Sequence, residues 1–275
     1  MTTGSEVAAP IRTVRPGRDL AIDMVILLVL VLGLSLVIPL IFLIIAAFQQ
    51  GLTSDSFQQL QAEDVLRLLG VGGVMTLLVI QNLLFMLIPW ARVVWLRRES
   101  PAELGFTAER LPLQIAIGFG LGVAVLFGNA MIGLAFNSAG ISQNQSAQYP
   151  LFAGDYLGQL AFFIGAAIIV PIGEEILFRG YLFKTLWRIW NEKQWGPVAA
   201  YGLSAFIFAI AHSLAATEGV IALLVPAFVM GLLLVWGAQK TGGLLAPIMA
   251  HMMNNGIALL GLLVCVNNPA FCTVP

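Results

Sequence analysis

An all-α bundle of helices that cross a membrane is the fold class predicted by this 275-residue sequence, and three observations predict it. Hydrophobic residues make up 59% of the chain and charged residues only 10%, with a strongly positive mean hydropathy. Apolar runs of about 20 residues, enough to cross about 30 Å of hydrocarbon as a helix, recur seven times. Apart from Arg67 and Arg179, Lys and Arg fall in a few groups between those runs, as loops on one side of a membrane require. The net charge of −1 gives no reason to invoke nucleic acid as a partner. The bilayer itself is the expected surrounding.

In chain order the runs fall near 24–48, 69–90, 113–136, 157–183, 197–212, 219–238 and 244–266. That makes about seven spans, with an eighth if the fourth or the last is broken. Basic residues at 12, 15 and 18, at 92, 97, 98 and 110, at 184, 188 and 193, and at 240 fall in alternate connections. This places the N-terminus in the cytoplasm and the C-terminus outside, in a multi-pass protein of the cell (inner) membrane. The expected organisation is a cytoplasmic tail over 1–23, one transmembrane domain over 24–266 and an exoplasmic tail over 267–275.

The first run follows Arg12, Arg15 and Arg18 like a signal peptide, but it is about 25 residues long and Asp19 and Asp23 interrupt its start. An uncleaved first span is the expectation. Gly70, Gly72 and Gly73, and the glycines at 118, 120 and 122, lie in spans where small residues let helices approach. Ser100-Pro101-Ala102-Glu103 carries a cap residue, a first-position proline and a glutamate three after the cap, so a short helix starts there. Trp95, Trp187, Trp190 and Trp195 read as interfacial belt residues. Asn144-Gln145-Ser146 fits a glycosylation sequon that would matter only in a eukaryotic host. Cys265 and Cys272 lie at the predicted outer end of the last span, and both readings stand: a disulfide across Pro269, or two thiols in a frayed tail.

The polar residues inside the spans are few. Both histidines of the chain, His212 and His251, sit in apolar segments, and Glu174 and Glu175 are the only acids within spans two to seven. A charge at bilayer depth costs several kcal/mol and persists where it faces an internal cavity. Spans four and five form an antiparallel pair about Lys193, and Glu174 and His212 each lie 19 residues from it. At about 1.5 Å per residue they reach one depth. His251 follows Lys240 by 11 residues and Glu174 precedes Lys184 by 10, so both lie roughly 15 Å below the cytoplasmic boundary. The three clusters are therefore expected to share one layer.

Within the clusters Glu175 and Arg179, and His251 and Asn255, are four apart and lie on single helix faces. Arg179 would hold Glu175 as an ion and leave Glu174 free to face another neighbour. Asn255 would either hydrogen-bond the His251 ring and fix its tautomer, or donate to a developing oxyanion. Phe208 reads as a core aromatic beside the site. A carboxylate and two imidazoles in a protected pocket supply what peptide hydrolysis by water needs, a base and a stabiliser of the tetrahedral intermediate. His212, His251 and Glu174 would also make a zinc site with an open water position.

At these residues the chain resembles the CPBP family, the CAAX-protease and bacteriocin-processing intramembrane endopeptidases that include the type II CAAX prenyl endopeptidases. Its members carry Glu-Glu-x-x-x-Arg, Phe-x-x-x-His and His-x-x-x-Asn or Asp on successive membrane helices. Here these are Glu174-Glu175 with Arg179, Phe208 with His212, and His251 with Asn255, in order. The resemblance spans roughly 160–260 and implies a helical catalytic core, about 157–260, whose polar cavity faces the cytoplasm. It further implies Glu174 as general base with His212 as partner, His251 and Asn255 at the oxyanion, and Glu175 and Arg179 holding the geometry. The family has been described both as metal-dependent and as glutamate-type, so no cofactor is fixed and zinc is the candidate. If zinc is bound, Glu174 becomes a ligand and Glu175 the base. The expected partner is a membrane-associated protein or peptide.

Other chemistries fit less well. There is no His-Glu-x-x-His for a zincin-type site and no aspartate in the late spans for an aspartyl type. Gly202-Leu203-Ser204 has a histidine nearby, but Ser204 is two turns from His212 on one helix. Two alternatives remain from other classes: a proton- or ion-coupled transporter, or a catalytically silent scaffold or immunity protein of the same family. No inverted repeat supports the first, and no replaced motif residue supports the second.

Overall fold

The computed structural model describes residues 15–51, 62–141, 149–213 and 219–272; Arg12 and Asn144-Gln145-Ser146 lie outside them. Among the described residues every regular element is helical. Seven helices occupy the seven predicted runs: α1 Pro16–Gln50, α2 Ala62–Trp90, α3 Leu111–Ser138, α4 Tyr156–Trp190, α5 Gly196–Ser213, α6 Val220–Thr241 and α7 Leu245–Asn267. Six are long and apolar enough to cross a membrane, and α5 is a shorter apolar helix. The eighth span does not arise, since α4 and α7 each run through without a break.

α4 is the centre of the bundle: half of its most apolar window is buried, against 6% for the peripheral α1. It is a composite. α-Helix over Tyr156–Ile164, Val170–Glu175 and Lys184–Trp190 alternates with π-helix over Gly165–Ile169 and Ile176–Phe183. Such single-turn widenings are uncommon and concentrate at functional sites. The helix passes its expected end at 183 because Thr185 and Leu186 are buried. Phe183, Trp187 and Tyr201 join in an aromatic cluster with centroids 5.2–6.2 Å apart. Trp187 is therefore a packing residue and not a belt residue, whereas Trp95 and Trp195 are exposed.

The span glycines divide. A Cβ at Gly118 would lie 3.0 Å from the Ala246 carbonyl oxygen, and one at Gly122 would collide with Met253, so α3 packs on α7 through these two. Gly70, Gly72 and Gly120 face open space, which corrects the packing role expected of them. Gly70 instead takes φ 57° and breaks the helical path of α2, a conformation that costs other residues far more.

Asp23 explains why an acidic residue opens α1. Its carboxylate accepts from Arg92 Nε at 2.7 Å, from Arg92 Nη2 and from the Tyr181 hydroxyl, while Asp19 pairs with Arg97 at 3.3 Å. The first span is thereby tied by a bidentate, charge-assisted pair to the turn that follows α2, and by the Tyr181 hydroxyl to α4, bonds that tolerate burial. Ser100 Oγ caps a 3-10 turn over Pro101–Leu104, accepting from Ala102 N. Glu103 does not complete a capping box; it pairs with Arg188 at 2.8 Å.

Cys265 and Cys272 form a disulfide. Both thiols are expected to resist a maleimide probe in untreated membranes and to label fully after reduction; labelling of both without reductant would exclude the bond.

Candidate active site

The sequence segment that carries the paired acids is the α-helical turn between the two π stretches of α4. Residues 174 and 175 are adjacent on a helix, so their side chains diverge by about 100°, and the two carboxylates acquire different surroundings. Glu175 points inward and is fully buried, as is Arg179. Glu175 Oε1 accepts from Arg179 Nη1 at 2.8 Å and lies 2.8 Å from His251 Nδ1. Glu174 points across to α5 and α7: its Oε2 lies 3.6 Å from His212 Nε2 and 3.7 Å from His251 Nε2. The depth argument from Lys193 thus brings Glu174 and His212 together, and His251 joins them in the same layer.

Each ring is oriented from behind. His212 Nδ1 lies 2.9 Å from the Phe208 carbonyl, and a carbonyl oxygen only accepts, so Nδ1 carries the hydrogen. His251 Nδ1 donates in the same way to Glu175. In both rings the remaining nitrogen, Nε2, is left as an acceptor facing Glu174. Phe208, fully buried, is the shared wall. The Arg179 guanidinium lies 4.0 Å over its ring, the His212 ring centroid is 4.2 Å away and that of His251 5.9 Å. A desolvated guanidinium on an aromatic face is stabilised by about 2 kcal/mol or more, which helps Arg179 persist beside its paired counter-charge Glu175. Close packing of Gly231 on Ala205 also brings the Gly231 carbonyl to 3.5 Å from Arg179 Nη2.

Glu174 Oε2, His212 Nε2 and His251 Nε2 lie within 4.8 Å of one another. Among the described residues neither Glu174 Oε2 nor His251 Nε2 has a hydrogen-bond partner, although both atoms are buried. Three acceptors converge with no donor between them. Buried acceptors left in this state cost about 1–3 kcal/mol each, so the arrangement calls for an electron-pair acceptor at its centre: the hydrogens of a water, or a cation.

Asn255 does not meet the His251 ring, and that expectation is corrected. Its Nδ2 donates to the Ala166 carbonyl at 3.2 Å and its Oδ1 accepts from Asn254 Nδ2 at 3.1 Å. Asn254 in turn accepts from Asn129 on α3 at 2.9 Å. Ser204 is buried and donates to the Phe178 carbonyl at 3.2 Å, so it has no nucleophile's position. Asn82, on α2, was not singled out from sequence. It is buried against Gly173, where a Cβ would collide with its Oδ1, and among the described residues that oxygen has no hydrogen-bond partner. An amide in the middle of an apolar run was the available signal.

The fold and site together define a multi-pass helical membrane protein with a Glu/His/His cluster buried among its helices. Residues 156–257 match the family model described as Type II CAAX prenyl endopeptidase Rce1-like, in keeping with the CPBP resemblance of the three motifs. Comparison with curated proteins gave no match. Comparison with solved structures also gave none.

Proposed function

We propose that this protein is an intramembrane endopeptidase that hydrolyses a peptide bond in a membrane-associated protein or peptide, using water activated at Glu174. The observation that carries the reading is the triangle of acceptor atoms on Glu174, His212 and His251 with no donor among them. A water placed there donates one hydrogen to Glu174 Oε2 and the other to His212 Nε2, which aims an oxygen lone pair at the substrate carbonyl. As Glu174 takes its proton, the water oxygen bonds to the carbonyl carbon and the carbonyl electrons move to oxygen. His251, with Nδ1–H held on Glu175, takes up a proton from solvent on Nε2 during turnover and donates it in a hydrogen bond to that oxyanion. Glu174 then returns its proton to the leaving nitrogen as the C–N bond breaks.

The same three atoms fit a zinc ion by donor type, and the hydrogen bonds behind both rings are the outer partners that metal-ligating histidines require. Zinc bound there would supply a water with its pKa lowered to near 7. In that form Glu175 would have to serve as base. Its complete burial and its ties to Arg179 and His251 argue for a supporting role, with Glu174 as the group that meets water. Arg179 and Phe208 fix the cluster from behind.

The orientation, N-terminus in the cytoplasm and C-terminus outside the cell (inner) membrane, rests on the distribution of Lys and Arg. A cavity open to the cytoplasm, within one transmembrane domain over 24–266, rests on the resemblance of the three motifs. Prenylated CAAX proteins come in only through the family's description.

The deciding experiment is elemental analysis for zinc on the detergent-purified wild type and the His212→Ala/His251→Ala variant, beside cleavage of a fluorogenic peptide library. Cleavage without stoichiometric metal, lost in the double variant, is the expected result. Stoichiometric zinc that disappears with the histidines would move the assignment to a metalloprotease. Absence of both cleavage and metal would replace it with the silent scaffold.

A further inference from the structure

The backbone of α4 has a gap at Ala166, and Asn255 fills it. In the π stretch Gly165–Ile169, the Val170 N–H bonds to the Gly165 carbonyl, five residues back. That removes the donor an α-helix would offer to Ala166. The donor next in line in the π register, five residues beyond Ala166, is residue 171, which is Pro171 and has no N–H. The Ala166 carbonyl is thus left without a helical partner inside an apolar bundle, where every backbone polar group has to be satisfied from within the protein. The hydrogen bond from Asn255 Nδ2, 3.2 Å long, supplies the donor.

This bond is one of three polar rungs between α4 and α7. At one end Gln159 and Asn267 exchange hydrogen bonds at 2.9 and 3.2 Å; at the other His251 meets Glu175 at 2.8 Å. Gln159 and Glu175 are 16 residues apart, as are His251 and Asn267, the equal spacing of an antiparallel pair held at both ends. Asn255 lies between them, one turn from His251. We propose that Asn255 is a positioning residue: it completes the backbone of α4 at Ala166 and so sets the depth of Glu174 against His251. It is held ready by Asn254 and, through it, by Asn129 on α3.

For turnover this assignment presupposes the Glu174 peptidase proposed above; for packing it does not. The test is a double-variant cycle on the purified full chain, read by melting temperature and by kcat and KM on a cleavable peptide. Asn255→Ala is expected to lower the melting temperature by about 3 °C, as loss of one buried hydrogen bond does. It is expected to lower kcat about 100-fold with little change in KM, the effect of about 1 Å of misplacement. Pro171→Ala restores an N–H that can reach the same carbonyl, so Pro171→Ala/Asn255→Ala is expected to recover most of both losses. No recovery in either readout would overturn the proposal, as would a kcat loss at unchanged melting temperature, the signature of a direct oxyanion donor.

Should Pro171→Ala alone fail to fold, Asn255→Leu decides. It keeps the size and removes the donor without adding a charge, so a lowered melting temperature supports the bond to Ala166 and an unchanged one overturns it. If the wild type cleaves nothing, the peptidase reading fails by itself and the melting cycle still tests the rung.

Discussion

Glu174→Gln is expected to abolish peptide cleavage, by about 10³-fold or more, while the protein melts no lower than the wild type. The two halves of this result have separate causes. A positioned general base contributes about 10²- to 10⁴-fold, and an amide has no basicity to replace it, so a 10³-fold loss corresponds to about 4 kcal/mol of transition-state stabilisation. Stability should move the other way. Glu174 Oε2 is buried with no hydrogen-bond partner among the described residues and faces two imidazole acceptors at 3.6 and 3.7 Å. Gln Nε2 can donate into that space, which relieves the conflict. A group whose removal costs function and not stability marks a site held against its own local preference. An active Glu174→Gln enzyme would sink the mechanism. A variant that is inactive only because it unfolds would make Glu174 a structural acid.

The sequence and the structure agree where hydrocarbon thickness is the controlling quantity. An apolar run near 20 residues has one stable solution in a bilayer, a helix, so all seven helices fall where the runs predict. Depth is as simple as length. Counting residues from Lys193 brings Glu174 beside His212 even though a π stretch lies between Glu174 and Lys193. Spacing on a face is legible too, as Glu175 with Arg179 illustrates.

What spacing cannot supply is the neighbour across the gap. His251 and Asn255 share a face, yet only the ring meets Glu175, because the amide meets a carbonyl that a π turn and Pro171 leave without a donor. The π stretches leave no mark in hydropathy, and with them the departure from 3.6 residues per turn was hidden. The Asp23 bond to Tyr181 joins residues 158 apart in sequence, beyond any local pattern. Asp23 read only as an interruption of the first run, although a buried acid in a span always asks for a partner. The disulfide was balanced between two readings because it depends on how the chain turns after α7, at Pro269, which composition does not encode.

Arg179→Met is expected to have the largest effect on stability of any single change in the site. Arg179 and Glu175 are both fully buried and joined at 2.8 Å. Met fills much of the apolar stem's volume, so what is lost is the charge over Phe208 and the partner of Glu175. Removing one member of a buried pair leaves the other uncompensated and costs about 3–5 kcal/mol, read as a fall of about 10 °C in melting temperature for a chain of this size. Arg179→Lys should recover little, because an ammonium cannot reproduce the planar guanidinium stacked on Phe208 while also reaching Glu175. The informative variant is Glu175→Gln/Arg179→Met, which removes both charges together. It should regain most of the lost stability, and Gln Oε1 can still accept from His251 Nδ1. If the pair merely stabilises the bundle, activity returns with the fold. If it sets the His251 ring for the oxyanion, the refolded double variant stays slow, since a neutral amide supports a second proton on His251 less well than a carboxylate does. An Arg179→Met protein as stable as the wild type would show that the buried pair holds nothing together.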